Sequence, residues 1–434
     1  MTATIAALSS GAGKAGVAVV RLSGPAVGAA LRQIAGGAPT PRMAALRRLR
    51  GAAGEEIDRA LVLFLPGPAS FTGEDVAEFH VHGGRAVIAA LIDTLTAIPG
   101  IRLAEPGEFT RRAVENGKLD LTAAEGIADL VEAETAGQRR QALRQAGGAL
   151  ERAASAWRAE LTRALALLEA EIDFPDEEDV PALFAVATAT ATRLVGEVEA
   201  ALAGAARGER LREGARIVIA GPPNAGKSTL LNALARRDVA IVSAIPGTTR
   251  DTIEVHLDLD GYPATLIDTA GLRQTEDPVE AIGVARALDR AGSADLVVWL
   301  SPADAPADPP DLAVPLLRVA TKRDRIDSPP QRCDLAISAL TGAGLETLTD
   351  RLAQAARAAL EGGEAALVTR ARHRRELEAM AVHLGRVAAA DAATPVEFAA
   401  EDLRLAVRAI GRLTGSVDID EIYDVIFRQF CIGK

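Results

Sequence analysis

The sequence predicts a chain of mixed class, α/β plus α, with one α/β domain inserted into a helical one. Three observations carry this. A Gly-rich loop, Gly221-Pro222-Pro223-Asn224-Ala225-Gly226-Lys227-Ser228, lies between an apolar strand-like run at 216–220 and a helix-like run at 228–236. Further apolar runs at 254–259, 264–267, 295–300, 316–321 and 335–338 alternate with helical or loop segments. The flanks differ: residues 119–211 and 364–434 carry helical spacing, whereas residues 1–118 show short β-like runs between Gly- and Pro-rich turns.

Within the first 118 residues, the runs at 17–22, 60–65 and 76–82 read as strands of a separate α/β domain. Thr122-Ala123-Ala124-Glu125 reads as a capping box that opens a helix, and the Ala-, Leu-, Glu- and Arg-rich stretch 138–171 continues in helical period. Pro175 falls in a break at 173–179, and a second long helix is expected at 183–206. Asp260-Gly261 between two apolar runs is a hairpin signal, so the inserted sheet is mostly parallel with one antiparallel pair. Thr394-Pro395-Val396-Glu397 places Pro at the first position of another capped helix. Four parts follow: 1–118, 119–211, 212–363 and 364–434, the second and fourth forming one discontinuous helical domain around the third.

At 434 residues and 49% apolar content, the chain has room for two to four domains with real cores. A net charge of −11 argues against gripping nucleic acid over a broad basic face, because such affinity scales with Lys and Arg contacts. A local patch or a partner is needed instead. The first 118 residues are mildly basic, with 13 Lys/Arg against 10 Asp/Glu, a net of +3. Cys333 and Cys431 lie far apart, which suggests neither a disulfide framework nor a zinc site and fits a reducing cytoplasm. No secretory leader is expected, and charges interrupt every apolar stretch before 18 residues, so no membrane span is expected either.

The loop has the chemistry of a phosphate cradle. Glycines let backbone N–H groups curl round phosphate oxygens, and the following helix presents its positive end. Asn224, Ala225, Gly226, Lys227, Ser228 and Thr229 form this part of the site, with Lys227 neutralising the β- and γ-phosphates and Ser228 ligating Mg²⁺. Asp268-Thr269-Ala270-Gly271 follows a strand. Asp268 is expected to hold Mg²⁺ through water and the Gly271 N–H to meet the γ-phosphate. Thr249, in Pro246-Gly247-Thr248-Thr249-Arg250-Asp251, is the candidate that closes on Mg²⁺ when the γ-phosphate is present. Thr321-Lys322-Arg323-Asp324 ends another strand: the Asp324 carboxylate can accept from guanine N1 and N2 together, and the Lys322 stem can cover the base. Asn is usual where Thr321 stands, and a Thr hydroxyl still reaches the phosphate-loop backbone. Ser338-Ala339-Leu340 fits the loop that backs the base. Together the motifs predict a Ras-like P-loop domain that takes GTP rather than ATP.

In many such domains a Gln after Asp-x-x-Gly orients the attacking water. Here Leu272 stands there, so Glu280 or Glu276 must serve; Glu280, Lys227 and Thr249 are the candidate catalytic residues. Asn224 offers a carbonyl oxygen beside the phosphates, which suits a monovalent cation in place of an arginine finger; alternatively it braces the loop by a side-chain to backbone bond.

Across its length the chain resembles the MnmE (TrmE) family of tRNA-modification GTPases. The residues that carry this are Val-Val-Arg-Leu-Ser-Gly at 19–24, Phe-Thr-Gly-Glu-Asp-Val at 71–76, His82-Gly83-Gly84, Pro-Gly-Glu-Phe-Thr-Arg-Arg at 106–112 and Asn-Gly-Lys-Leu-Asp at 116–120. Pro-Gly-Thr-Thr-Arg-Asp at 246–251, Asp-Thr-Ala-Gly-Leu-Arg at 268–273 and the terminal Phe430-Cys431-Ile432-Gly433-Lys434 complete it. The resemblance implies an N-terminal folate-binding and dimerisation domain, a helical domain and an inserted G domain. It implies a homodimer whose G domains pair with K⁺ held by Asn224, Ser243, Ile245 and Thr248, inside a nucleotide loop that also includes Ala244, Pro246 and Gly247. It further implies that Glu280 acts on the attacking water through a second water. An FAD- and NADH-using partner (MnmG/GidA type), forming a heterotetramer, is implied for modification of C5 of the wobble uridine of certain tRNAs. The product is carboxymethylaminomethyl or aminomethyl uridine, made with a one-carbon unit from 5-formyl- or methylene-tetrahydrofolate. Arg21, Glu78, Lys118 and Lys434 match the family's folate residues, and Cys431 is either a reactive thiol near the folate or a small buried residue. The turn Ser9-Ser10-Gly11-Ala12-Gly13-Lys14 departs from the family's Pro-rich start. Two other classes stand beside this one: a ribosome-assembly GTPase that binds rRNA, and a nucleotide-gated scaffold.

Overall fold

The computed structural model describes all residues except 1–2, 12, 174–180, 238, 242–253, 269–293, 327–331, 362–364, 392, 418–425, 428–429, 431–432 and 434. It divides into two compact units: residues 1–128 with 410–434, and residues 129–409.

The first unit is built on a six-stranded sheet in the order β3-β4-β5-β2-β1-β6. Its strands are β1 (Thr4–Leu8), β2 (Ala15–Ser23), β3 (Ala45–Arg50), β4 (Glu56–Leu65), β5 (Val76–Gly83) and β6 (Ile101–Leu103). All pairings are antiparallel except β1 with β6. Period-two alternation sorts the side chains. Val62, Phe79 and Val20 stand opposite one another in one row and are fully buried. They form a core with α1 (Val27–Ala35) and α2 (Arg85–Thr96), which cover that face. On the opposite face Ile5, Ala7, Phe71, Ala104 and Phe109 pack at the β1 end. The next row, Leu46, Leu61 and His80, stays open, with Leu46 68% and Leu61 46% exposed. Helix α3 (Glu108–Glu115) and the start of α4 (Leu121–Glu132) pack with Phe427 and Phe430 of the C-terminal segment.

The second unit holds the other sheet, β12-β11-β10-β7-β9-β8. Its strands are β7 (Ala215–Ala220), β8 (Glu254–Leu259), β9 (Tyr262–Asp268), β10 (Leu296–Pro302), β11 (Leu316–Thr321) and β12 (Leu335–Ala336). Only β8 and β9 are antiparallel, and their turn has positive φ at both Asp260 and Gly261. That geometry matches strand twist, which is why Asp-Gly marks it. Helices α9 (Lys227–Ala235) and α10 (Leu345–Leu360) bury Leu230, Leu234, Leu348 and Leu352 against the sheet core.

The remaining helices are α5 (Ala136–Ala146), α6 (Ala149–Asp173), α7 (Pro181–Ala203), α8 (Ala205–Glu213), α11 (Ala371–Ala388) and α12 (Val396–Thr414). Helix α7 packs on both α6 and α11, and Arg404 of α12 pairs with Glu169 of α6. Helical segments from before and after the second sheet therefore touch. Asp129 binds both Arg212, where the chain enters that sheet, and Arg370, where it leaves.

Candidate functional site

The phosphate loop leaves β7 and enters α9. Two glycines set its path. At Gly221, φ is +147° and an added Cβ would lie 2.2 Å from the Leu300 carbonyl oxygen; at Gly226, φ is +90°. Asn224 also takes the left-handed region, at φ +60°. Lys227 Nζ donates to the carbonyls of Gly221 at 2.8 Å and Pro222 at 3.1 Å, folding the ammonium over the loop it serves. Ser228 and Thr229 follow in the first turn of α9, whose N-terminus carries the partial positive charge that favours phosphate. The Asn224 side chain is exposed.

The base-recognition segment is tied to this loop. Thr321, 5% exposed at the end of β11, donates its hydroxyl to the Ala225 carbonyl at 2.7 Å. Lys322 is left-handed at φ +59°, and a 3₁₀ turn, Arg323–Arg325, then carries Asp324 outward. Ser338, 1% exposed, donates to Asp324 Oδ1 at 2.5 Å and accepts from the Thr341 N–H at 3.2 Å. The Ser338 hydrogen bond holds the Asp324 carboxyl below the usual range, so it is an acceptor at neutral pH. Ala339 follows, and Leu340 is 83% exposed at the rim.

Ser243, Ala244, Ile245, Pro246, Gly247, Thr248, Thr249, Thr269, Ala270, Gly271, Leu272, Glu276 and Glu280 lie outside the described residues, as do Cys431 and Lys434. Of Asp268 only the backbone is described: it ends β9 opposite Ile219 of β7, one strand from the start of the phosphate loop. Ser228 and Asp268 are thus both led to one edge of the loop, which fits an oxygen-ligated Mg²⁺. Among the described residues no three His, Cys, Asp or Glu gather as a metal site elsewhere. Cys333 is half-buried beside Arg332 and Arg318, apart from the phosphate loop.

In the first unit Arg21 and Glu78 face each other across β2 and β5, with Arg21 Nε and Nη2 donating to Glu78 Oε1 at 3.0 and 2.9 Å. The guanidinium lies 6.0 Å from the Phe71 ring and 5.9 Å from the Phe109 ring. His80 Nε2 lies 3.2 Å from Glu78 Oε2. Lys118 runs beside Gly73, and Gly433 packs on Leu8 while its carbonyl accepts from Ser9. The structure therefore brings Arg21 and Glu78 together and sets the C-terminal segment at the end of β1, the strand next to Arg21. A cation, a carboxylate and two aromatic rings gathered in this way can contact a planar heterocycle bearing both donors and acids.

Sequence reasoning missed a second charged network in this unit. Arg112, 5% exposed, donates to Glu74, to Glu108 and to the Ala3 carbonyl. Arg102 also pairs with Glu108, and the Ser23 hydroxyl donates to Glu74 at 2.6 Å. Burial pushes the Glu108 carboxyl up, but bonds from Arg102, the Glu105 N–H and Arg112 outweigh it and leave it below the usual range. Glu74, Glu108 and Arg112 all sit in the motif runs, yet their partners are as much as 109 residues away.

The comparisons with known proteins fit this geometry. The family model of the GTP-binding protein TrmE N-terminus matches residues 4–118, and that of the MnmE helical domain matches residues 121–431. A protein of Methylorubrum populi named tRNA modification GTPase MnmE is 57% identical over 435 residues, covering 99% of this chain and 98% of its own. Relatives of the same name from Methylobacterium sp. strain 4-46, 57% identical over the full length of both, and from Beijerinckia indica, 55% identical over 99% of this chain and 96% of its own, are equally extended.

Proposed function

This chain belongs to the MnmE family of tRNA modification GTPases, and from that premise we propose that it hydrolyses GTP to drive modification of C5 of the wobble uridine in certain tRNAs. The observation that carries the reading is the nucleotide frame: Lys227 over the phosphate loop, Thr321 bonded to that loop, and Asp324 aimed by Ser338. In it Lys227 neutralises the β- and γ-phosphates, Ser228, Thr249 and water-bridged Asp268 hold Mg²⁺, and Asp324 selects guanine. Glu280 positions the attacking water where Leu272 cannot. The exposed Asn224 carbonyl, with Ser243, Ile245 and Thr248, takes K⁺, which supplies positive charge at the phosphates when bound.

The Arg21–Glu78 pair supports a tetrahydrofolate site with Lys118 and Lys434, in which Glu78 accepts from the heterocycle's N–H groups and the cations meet its carboxylates. The open row of Leu46 and Leu61 supports a homodimer through this domain. We assign 1–118 to folate binding and dimerisation, 212–363 to the G domain, and 119–211 with 364–434 to one helical domain. The chain works with an FAD-dependent MnmG/GidA-type partner in the cytoplasm; no helix among the described residues is long and apolar enough to cross a membrane. The test is GTP turnover at equal ionic strength in K⁺ and Na⁺. Faster turnover in K⁺ by tenfold or more supports the reading, and equal rates overturn its cation part.

A further inference from the structure

An acidic chain that handles tRNA, with a net charge of −11, meets that polyanion through a local basic patch or through a partner, and the described residues offer a candidate patch. Helix α5 has the required composition: Arg139, Arg140 and Arg144, with no Asp or Glu in the helix. Three glutamines on its other face are tied to backbone carbonyls. Gln138 Nε2 donates to the Arg212 carbonyl at 3.0 Å, Gln141 Nε2 to the Gly208 carbonyl at 2.9 Å, and Gln145 Nε2 to the Leu367 carbonyl at 2.6 Å. A capping box at Thr135 and Gln138 fixes the helix start, and the Gly137 N–H donates to the Gly261 carbonyl at the β8–β9 turn. The helix is therefore held rigidly by its glutamine edge.

That clamping fixes where the arginines go. At roughly 100° per residue, Arg139, Arg140 and Arg144 fall within an arc of about 140° opposite the glutamines. All three are exposed, with Leu143, itself 52% exposed, between them. None has an ion-pair partner among the described residues, in contrast to Arg212, Arg370 and Arg374, which are paired. Three unneutralised guanidinium groups on a preformed face match phosphate oxygens in bidentate fashion, which ammonium groups do less well.

We propose that the outer face of α5 is a docking surface for the phosphodiester backbone of tRNA. The proposal rests on tRNA being this chain's substrate, but the assignment of the surface is separate. Such contacts position the RNA without reading its sequence. Each phosphate neutralised releases counterions, so the face contributes a salt-dependent share of the affinity.

The experiment measures binding of fluorescently labelled tRNA to the full chain by anisotropy, across a salt series, for wild type, the R139E/R140E/R144E variant and the milder R139Q/R140Q/R144Q variant. GTP turnover is measured on each as the check on folding, since none of the three residues belongs to the nucleotide site. The expected result is tRNA affinity at least tenfold weaker in the charge-reversed variant and weaker to a smaller degree in the Gln variant. The slope of log affinity against log salt becomes shallower by about 2, and turnover stays within twofold. Unchanged affinity and slope with intact turnover overturn the proposal while leaving tRNA as the substrate. A wild-type chain that fails to bind tRNA at low salt removes both the surface and the substrate reading for this chain alone.

Discussion

The Thr321 hydroxyl donates to the Ala225 carbonyl across 2.7 Å, joining the base-recognition strand to the phosphate loop through one buried hydrogen bond. A hydroxyl has a single proton to donate, so this bond consumes it. The T321V variant keeps the shape but leaves the Ala225 carbonyl unpaired, a cost of about 1–3 kcal/mol. Nucleotide affinity, read by titration with a fluorescent GDP analogue, is expected to fall about five- to a hundredfold. Unaltered affinity would show that the two segments are held by other contacts.

The proposed base selection places Asp324 on the guanine, held by its hydroxyl donor Ser338. Asp324→Asn removes the charge that accepts from the base and is expected to weaken GTP binding by about 1.5–3 kcal/mol, tenfold or more, with the preference over ATP reduced. Ser338→Ala leaves the carboxylate but frees its rotamer, so a smaller loss with preference retained is expected. Competition binding with GTP and ATP separates the two outcomes.

Glu108 makes the first unit sensitive to acid. Its folded carboxyl titrates below the ordinary value of 4.5, because its bonds to Arg102 and Arg112 outweigh burial. A depressed folded pKa gives stability that is present above the unfolded value and lost as pH falls through the folded one. Calorimetric unfolding of the full chain should therefore show this contribution constant from pH 8 to 5 and shrinking below about pH 4.5. Glu108→Gln is expected to flatten that acid limb and to cost about 2–3 kcal/mol at neutral pH, since the buried Arg112 then keeps only Glu74 as a charged partner among the described residues.

Arg21 lies within about 6 Å of two aromatic ring centroids and bonds Glu78. Arg21→Ala should lower affinity for 5-formyl-tetrahydrofolate by tenfold or more in isothermal titration, with GTP turnover unaltered. Arg21→Lys should recover little, because an ammonium cannot reproduce the guanidinium's stacking and fork. Equal folate binding in all three proteins would remove Arg21 from the site.

What could be read in the sequence follows the physics of each signal. Strands β7 and β10 and the second half of β11 are buried on both faces and appear as apolar runs, and the Asp260-Gly261 turn announces itself because few other pairs tolerate two positive φ angles. The strands β1, β3 and β6 gave no such signal: β1 is small and Ala-rich, β3 lies at a sheet edge with Leu46 and Leu49 three residues apart among arginines and so lacks period two, and β6 has three residues. The phosphate loop and Asp324 were legible because their chemistry needs fixed local spacing. The Arg112–Glu74 pair was not, because its members are 38 residues apart and only the folded sheet brings them together. The arginine face of α5 was hidden for a related reason: composition shows three arginines, but only the glutamine contacts show which way they point.

The most direct test of the central claim is nucleoside mass spectrometry of tRNA from cells lacking the gene for this chain, complemented with wild type or with Lys227→Ala. The account predicts that the aminomethyl and carboxymethylaminomethyl wobble uridines vanish on deletion, return with wild type and stay absent with Lys227→Ala. A wobble-uridine profile unchanged by deletion would contradict it.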